Sequence, residues 1–241
     1  MLIYMKKSLH AIYAVLVVLS MASCKIPDQN NSFQPMEEGR FWLYTIEKNT
    51  TDANEYLRHG LRVTNTVSNA DTTTALLEDL TGKVSVYKKD NAGVFLNSNT
   101  TNAKTDPAGR ISDMHMILPA QPKVGDTWHS YSPTYALESS SAPWEKLFTI
   151  EANLNVKNQI ASVSASTTTP AGSFINCLLV TSIGKEAVYL GDYLGETIVE
   201  QQRQAWYAED IGLIRLEVRE KTSSSAIKEG LFIMELVTHT R

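Results

Sequence analysis

The sequence predicts an all-β protein, and three observations carry that prediction. Apolar and polar residues alternate through stretches such as Phe41-Trp42-Leu43-Tyr44-Thr45-Ile46 and Val84-Ser85-Val86-Tyr87-Lys88, which is the two-residue period of a half-buried strand. Clusters of Gly, Pro, Asn and Ser interrupt the chain at short intervals, as turns between strands do. No stretch sustains an apolar stripe at helical spacing, and the helix candidates are two short segments, 52–57 and 75–80. The count of roughly ten or more short strands fits a curved antiparallel sheet or half-barrel, with a β-sandwich as the alternative.

The N-terminus reads as an export signal. Lys6 and Lys7 precede an apolar run from Leu9 to Leu19, and Ser20-Met21-Ala22-Ser23 leads small residues into Cys24. This pattern is a secretory signal, and the cysteine at the cleavage point resembles the lipidation site of bacterial lipoproteins. The run falls short of the ~20 residues a spanning helix needs. Residues 1–23 are therefore expected to be a lipoprotein signal peptide and Cys24 to be lipidated. Residues 24–36 form a polar, proline-containing tether, and 37–241 a single all-β domain. Lys25, rather than an aspartate, follows Cys24, which favours an outer-membrane address facing the periplasm.

The whole chain carries a formal charge of −4, and loss of Lys6 and Lys7 makes the mature chain more acidic still. No nucleic-acid partner is expected, because such binding depends on clustered Lys and Arg. With Cys24 lipidated, Cys177 is left alone, so the domain must hold by packing rather than by a disulfide.

Along the domain, Gly39 opens a first strand at Phe41–Ile46, and Tyr56–Val67 alternates as a second. Val84–Lys88 and Val94–Leu96 follow, while 97–109 is a polar surface loop. Pro122 and Gly125-x-x-Trp128 echo Pro35 and Gly39-x-x-Trp42. The echo is either an internal duplication or a recurring way of starting a strand, with Gly turning the chain and Trp pinning it. Residues 132–143 read as a Ser- and Pro-rich loop, and 145–156 and 160–169 as two strands. Two turns, Thr169-Pro170-Ala171-Gly172 and Glu209-Asp210-Ile211-Gly212, feed the strongly apolar strands that close the sheet. The last strand runs through Leu231-Phe232-Ile233-Met234.

Four phrases together resemble a broad, mostly uncharacterised group of bacterial secreted and lipid-anchored proteins. They are Phe33-Gln34-Pro35 with Gly39-x-x-Trp42-x-Tyr44, Leu118-Pro119 with Lys123-Val124-Gly125-Asp126-x-Trp128, Pro170-Ala171-Gly172-x-Phe174-x-Asn176-Cys177, and Trp206-Tyr207-Ala208-x-x-x-Gly212-Leu213. The chain departs from the group at Glu209-Asp210-Ile211, where Pro-Gly-Val is commoner. The resemblance implies a curved antiparallel sheet in a cell envelope and no shared catalytic residues.

Reactive constellations are weighed against their ordinary alternatives. His59, His115, His129 and His239 are far apart, and Asp113-x-His115 sets a carboxylate and an imidazole on one side of a strand without a third group. No metal-ligand spacing occurs, so no metal or other cofactor is expected. No Gly-x-Ser-x-Gly elbow is present, and Ser139–Ser141 and Ser223–Ser225 read as solvated turns. Cys177 lies in an apolar strand, a setting that disfavours a thiolate. Trp42, Trp128 and Trp206 are assigned to the core, with Trp144 left between core and ligand cavity. The turn carrying Tyr189, Asp192, Tyr193 and Leu194 is the candidate partner-binding surface.

The function expected from these readings is a non-enzymatic envelope lipoprotein, held to the membrane by its lipid, that binds a partner protein or an apolar ligand. A lipid or lipoprotein carrier with an apolar concave face is the first alternative. An envelope hydrolase built on Asp113 and His115 is the second.

Overall fold

The structure, a computed structural model, describes residues 33–97, 114–141, 146–189, 195–227 and 229–240. Among them are fourteen strands and no helix. The first six are β1 (Phe41–Asn49), β2 (Asn54–Ser68), β3 (Thr73–Asp79), β4 (Val84–Lys89), β5 (Gly93–Asn97) and β6 (His115–Pro119). Next come β7 (Thr127–Pro133), β8 (Glu138–Ser141), β9 (Lys146–Thr149) and β10 (Asn153–Thr169). The chain finishes with β11 (Gly172–Tyr189), β12 (Glu196–Ala208), β13 (Gly212–Thr222) and β14 (Glu229–His239).

Twelve strands form one antiparallel sheet in the order β6-β5-β4-β3-β2-β1-β14-β13-β12-β11-β10-β7, with β8 and β9 pairing separately. Strands of up to 18 residues, broken by register shifts in β2, β10 and β12, let the sheet twist and coil until its ends meet. The result is a nearly closed barrel. Its two end strands, β6 and β7, lie against each other, joined by the Trp128 indole N–H donating to the Met116 carbonyl at 3.0 Å.

The strand order contains the same arrangement twice. Strands β1 to β6 make one meander; β7 and β10 to β14 make another. Each begins with the Gly-x-x-Trp unit, and the two units are built alike. Gly39 (φ +86°) and Gly125 (φ +94°) both occupy the left-handed region, where a side chain is disfavoured. The Gly39 N–H donates to the Val63 carbonyl, and the Val63 N–H donates to the Arg40 carbonyl, both at 2.9 Å. The Gly125 N–H donates to the Ile160 carbonyl at 2.9 Å, and the Ile160 N–H to the Asp126 carbonyl at 3.0 Å. Val63 and Ile160 are both buried, and each is followed by a bulge.

The interior is packed by alternate residues. Trp42 and Tyr44 of β1, Leu178 and Val180 of β11, Tyr207 of β12, Ile214 and Leu216 of β13, and Phe232, Met234 and Leu236 of β14 form the main core. The Trp42 indole donates to the Ile211 carbonyl at 2.6 Å and the Tyr44 hydroxyl to the Leu213 carbonyl at 2.9 Å, so both buried polar tips find acceptors. A second cluster of Leu137, Ile150, Leu154, Val156, Val199 and Ile227 fills the opposite end.

Several sequence expectations are corrected. Segments 52–57 and 75–80 are not helices. The first runs into β2 and the second lies almost wholly in β3, where Ala75 and Leu77 are buried at two-residue spacing. The supposed loop 132–143 contains the end of β7 and all of β8. Residues 160–169 are not a strand of their own but the far half of the 17-residue β10. Trp206 is half-buried, with the Arg215 guanidinium 5.6 Å from its ring, rather than part of the buried core. A single curved sheet replaces the sandwich alternative.

Candidate functional site

The second meander differs from the first in what separates its leading two strands. Between β1 and β2 the chain turns within four residues, the Thr50 N–H donating to the Ala53 carbonyl. Between β7 and β10 it leaves the wall and crosses the interior. The Gln201 side-chain amide of β12 donates to the Pro133 carbonyl at 2.8 Å. Tyr135 stacks at 4.6 Å on Phe232 of β14, and the Ala136 carbonyl lies so close to Gly230 that a Cβ there would collide with it. Lys48 of β1 then pairs with Glu138, and the buried Ser139 hydroxyl donates to the Asp52 carboxylate at 2.7 Å. Residues 133–137 thus form a plug that reaches the opposite wall.

A plug of extended chain brings backbone N–H groups into a dry interior, where each needs an acceptor. Glu220 of β13, 1% exposed, supplies it. Its carboxylate accepts from the Tyr135 N–H at 3.0 Å and from the Ala136 N–H at 2.8 Å, and the Gln201 amide donates to it at 2.9 Å. Burial pushes the Glu220 carboxyl above its ordinary range, against the pull of those hydrogen bonds and of Lys48.

Beside the plug, at the seam between β6 and β7, lies a cavity of about 430 Å³. Its walls include Asn97 of β5, His115 of β6, Tyr131 and Ser132 of β7, Tyr135 of the plug and Arg203 of β12. The His115 and Tyr131 rings meet edge to face at 6.2 Å. The Arg203 guanidinium stands beside the Tyr207 hydroxyl, and its Nε is buried without a partner. Burial, and then the Arg203 charge, hold the His115 imidazole below its usual value, so it is neutral at pH 7. A neighbouring cavity of about 480 Å³ shares Pro133, Tyr135 and Asn153 with this one.

The residues singled out from the sequence fare unequally. Cys24, Asp113, Trp144, Asp192, Tyr193 and Leu194 lie outside the described residues. Tyr189 is described and is 65% exposed at the end of β11. Cys177 is a buried free thiol, and burial raises its pKa. His115 lines the seam cavity, whereas His59 of β2 and His129 of β7 are not among its lining residues, His129 bonding Asn155 at 3.1 Å. Ser132, the serine in the wall, directs its hydroxyl to the Pro133 carbonyl at 3.5 Å. Among the described residues no three His, Cys, Asp or Glu side chains converge as a metal site, and no helix is long and apolar enough to cross a membrane.

Arg203, Gln201 and Glu220 were missed by sequence reasoning, and a signal for them exists. Val199, Gln201, Arg203, Ala205 and Tyr207 share one face of β12, and Ile214, Leu216, Val218 and Glu220 share one face of β13. Polar residues that continue an otherwise apolar face mark an interior with something polar to bind.

No protein-family model matches this chain, and no curated protein does. Two solved structures are similar to it. One is a protein from Bacteroides fragilis described as exported, with a YmcC-like fold, at 14% identity and a TM-score of 0.46, covering 88% of this chain and 100% of that one. The other, from Parabacteroides distasonis, is described as a lipoprotein, at 16% identity and a TM-score of 0.42, covering 88% of this chain and 99% of that one. At these scores the similarity carries no functional argument.

Proposed function

We propose that this chain is an exported, lipid-anchored protein of a bacterial envelope, attached through Cys24, that binds a small ligand in the seam cavity without acting on it. The address rests on Lys6-Lys7, the apolar run and the small residues before Cys24, and Lys25 points it to the outer membrane, facing the periplasm. The binding role rests on one observation: beside the seam, groups from six separate segments line an opening of ligand size.

The carrier alternative loses its basis, because the concave face that would hold an acyl chain is occupied by Trp42, Tyr44, Leu216 and Phe232. The hydrolase alternative needs a base oriented by a carboxylate beside a nucleophile. Among the described residues His115 has no carboxylate partner, and the Ser132 hydroxyl is turned to a backbone carbonyl.

The address is tested by metabolic labelling with palmitate and fractionation of the full chain and of Cys24→Ser. Label and membrane retention are expected in the first and absent from the second. An unlabelled chain in the cytoplasm ends the proposal.

A further inference from the structure

Among the described residues the seam cavity contains a positive charge with no negative charge facing it: Arg203 is the one permanently cationic side chain in its wall, and no Asp or Glu lines it. No carboxylate among the described residues stands within ion-pair distance of the guanidinium. The one acidic group in the adjacent interior, Glu220, is committed to the Tyr135 and Ala136 amides and to Gln201. Among its surroundings Arg203 touches the hydroxyl of Tyr207 and the field of Tyr87 and His115, and these groups carry no charge at neutral pH.

Holding a half-buried charge without a partner is costly, and a ligand that brings a negative charge to the part of the guanidinium that faces the cavity relieves that cost. The guanidinium is planar and presents a fork of donors suited to a carboxylate or a phosphate. The wall then limits the charge. With a single fixed cation and a neutral imidazole, one negative charge is balanced, whereas a phosphate monoester near −2 is not. The remaining wall, with Leu96, Ile117, Tyr131 and Tyr135, offers apolar and aromatic surface to the rest of the molecule.

We infer that the seam cavity is a site for a small organic monocarboxylate, its carboxylate set on the Arg203 guanidinium and its apolar body held between His115, Tyr131 and Tyr135. This deepens the reading of the cavity as a binding site and rests on it.

Calorimetric titration of the full chain with three probes of one ring tests the assignment: benzoate, the neutral isostere benzamide, and phenyl phosphate. Benzoate is expected to bind at least about tenfold more tightly than either of the others, the equivalent of one charge-assisted contact. Arg203→Gln is expected to remove that advantage, so that benzoate binds the variant no more tightly than benzamide does. Because the benzoate–benzamide comparison needs no substitution, it stands even if the variant folds poorly. Equal binding of benzoate and benzamide overturns the charge assignment while keeping the cavity as a binding site. Tighter binding of phenyl phosphate than of benzoate replaces the carboxylate by a phosphate. Absence of binding by all three removes the cavity reading together with this inference.

Discussion

The barrel has two junctions between its meanders, and they are finished differently. At one, the first strand of the first meander, β1, meets the last strand of the second, β14, in a continuous ladder from Trp42↔His239 to Asn49↔Leu231 with one bulge. At the other, the first strand of the second meander, β7, meets the last of the first, β6, and no ladder forms. One indole hydrogen bond and one edge-to-face ring contact span that gap. The Gly-x-x-Trp units leading into β1 and β7 are near copies, so the difference lies outside them. The plug between β7 and β10 touches both junctions: it packs on Phe232 and Gly230 of β14 and on Lys48 of β1, where the ladder is continuous, and its Tyr135 lines the cavity at the parted seam.

Four measurements sharpen or break this comparison. Glu220→Ala leaves the Tyr135 and Ala136 amides buried without an acceptor. At roughly 1–3 kcal/mol for each orphaned donor, unfolding stability is expected to fall by about 2–5 kcal/mol in urea titration. A loss below about 1 kcal/mol means the plug is solvated and the contrast fails. Gly230→Ala drives a methyl into the Ala136 carbonyl and is expected to cost about 1–3 kcal/mol, with hydrogen exchange accelerated in residues 133–139 ahead of β1.

The same replacement at the two tryptophans tests the junctions directly. Trp42→Phe removes an indole bond from a side chain that is 2% exposed and is expected to cost about 1–3 kcal/mol. Trp128→Phe does so at a half-buried position and is expected to cost about 0.5–1.5 kcal/mol, with faster exchange confined to β6 and β7. Equal costs, measured by chemical denaturation, erase the distinction.

The smallest effect is one of pH. His115 is held below 6.5 in the folded protein, so between 6.5 and that lower value the unfolded chain binds the extra proton. Stability therefore falls as pH drops through this window and levels off beneath it. His115→Phe is expected to flatten the slope in part, the remainder belonging to His59, whose imidazole is lowered by burial as well. An unchanged slope places His115 in open water.

Fold class was legible because alternation is sustained where it matters: the first nine residues of β10 and of β14 alternate without a break. Two segments misled for physical reasons. Thr74-Ala75-Leu76-Leu77 has the side chains of a helix, yet it sits between two strands that satisfy its backbone, and tertiary pairing overrides propensity there. Residues 132–143 have the composition of a surface loop, because a segment threading a barrel needs small and polar groups for the same reason a solvated one does. The candidate site was illegible as a site. Its members come from β5, β6, β7, the plug and β12, far apart in sequence, and only the polar breaks in the apolar faces of β12 and β13 pointed inward. The Gly-x-x-Trp echo was visible but could not be weighed until its hydrogen bonds were seen to repeat.

The pairing of β1 with β14 also sets a clock. The ladder that unites the two meanders has no second strand until Glu229–His239 has been made, so a nascent chain emerging from the ribosome carries unmated edges and an empty centre. Such non-local closure is slow, and the centre of the barrel fills only once both meanders are in hand.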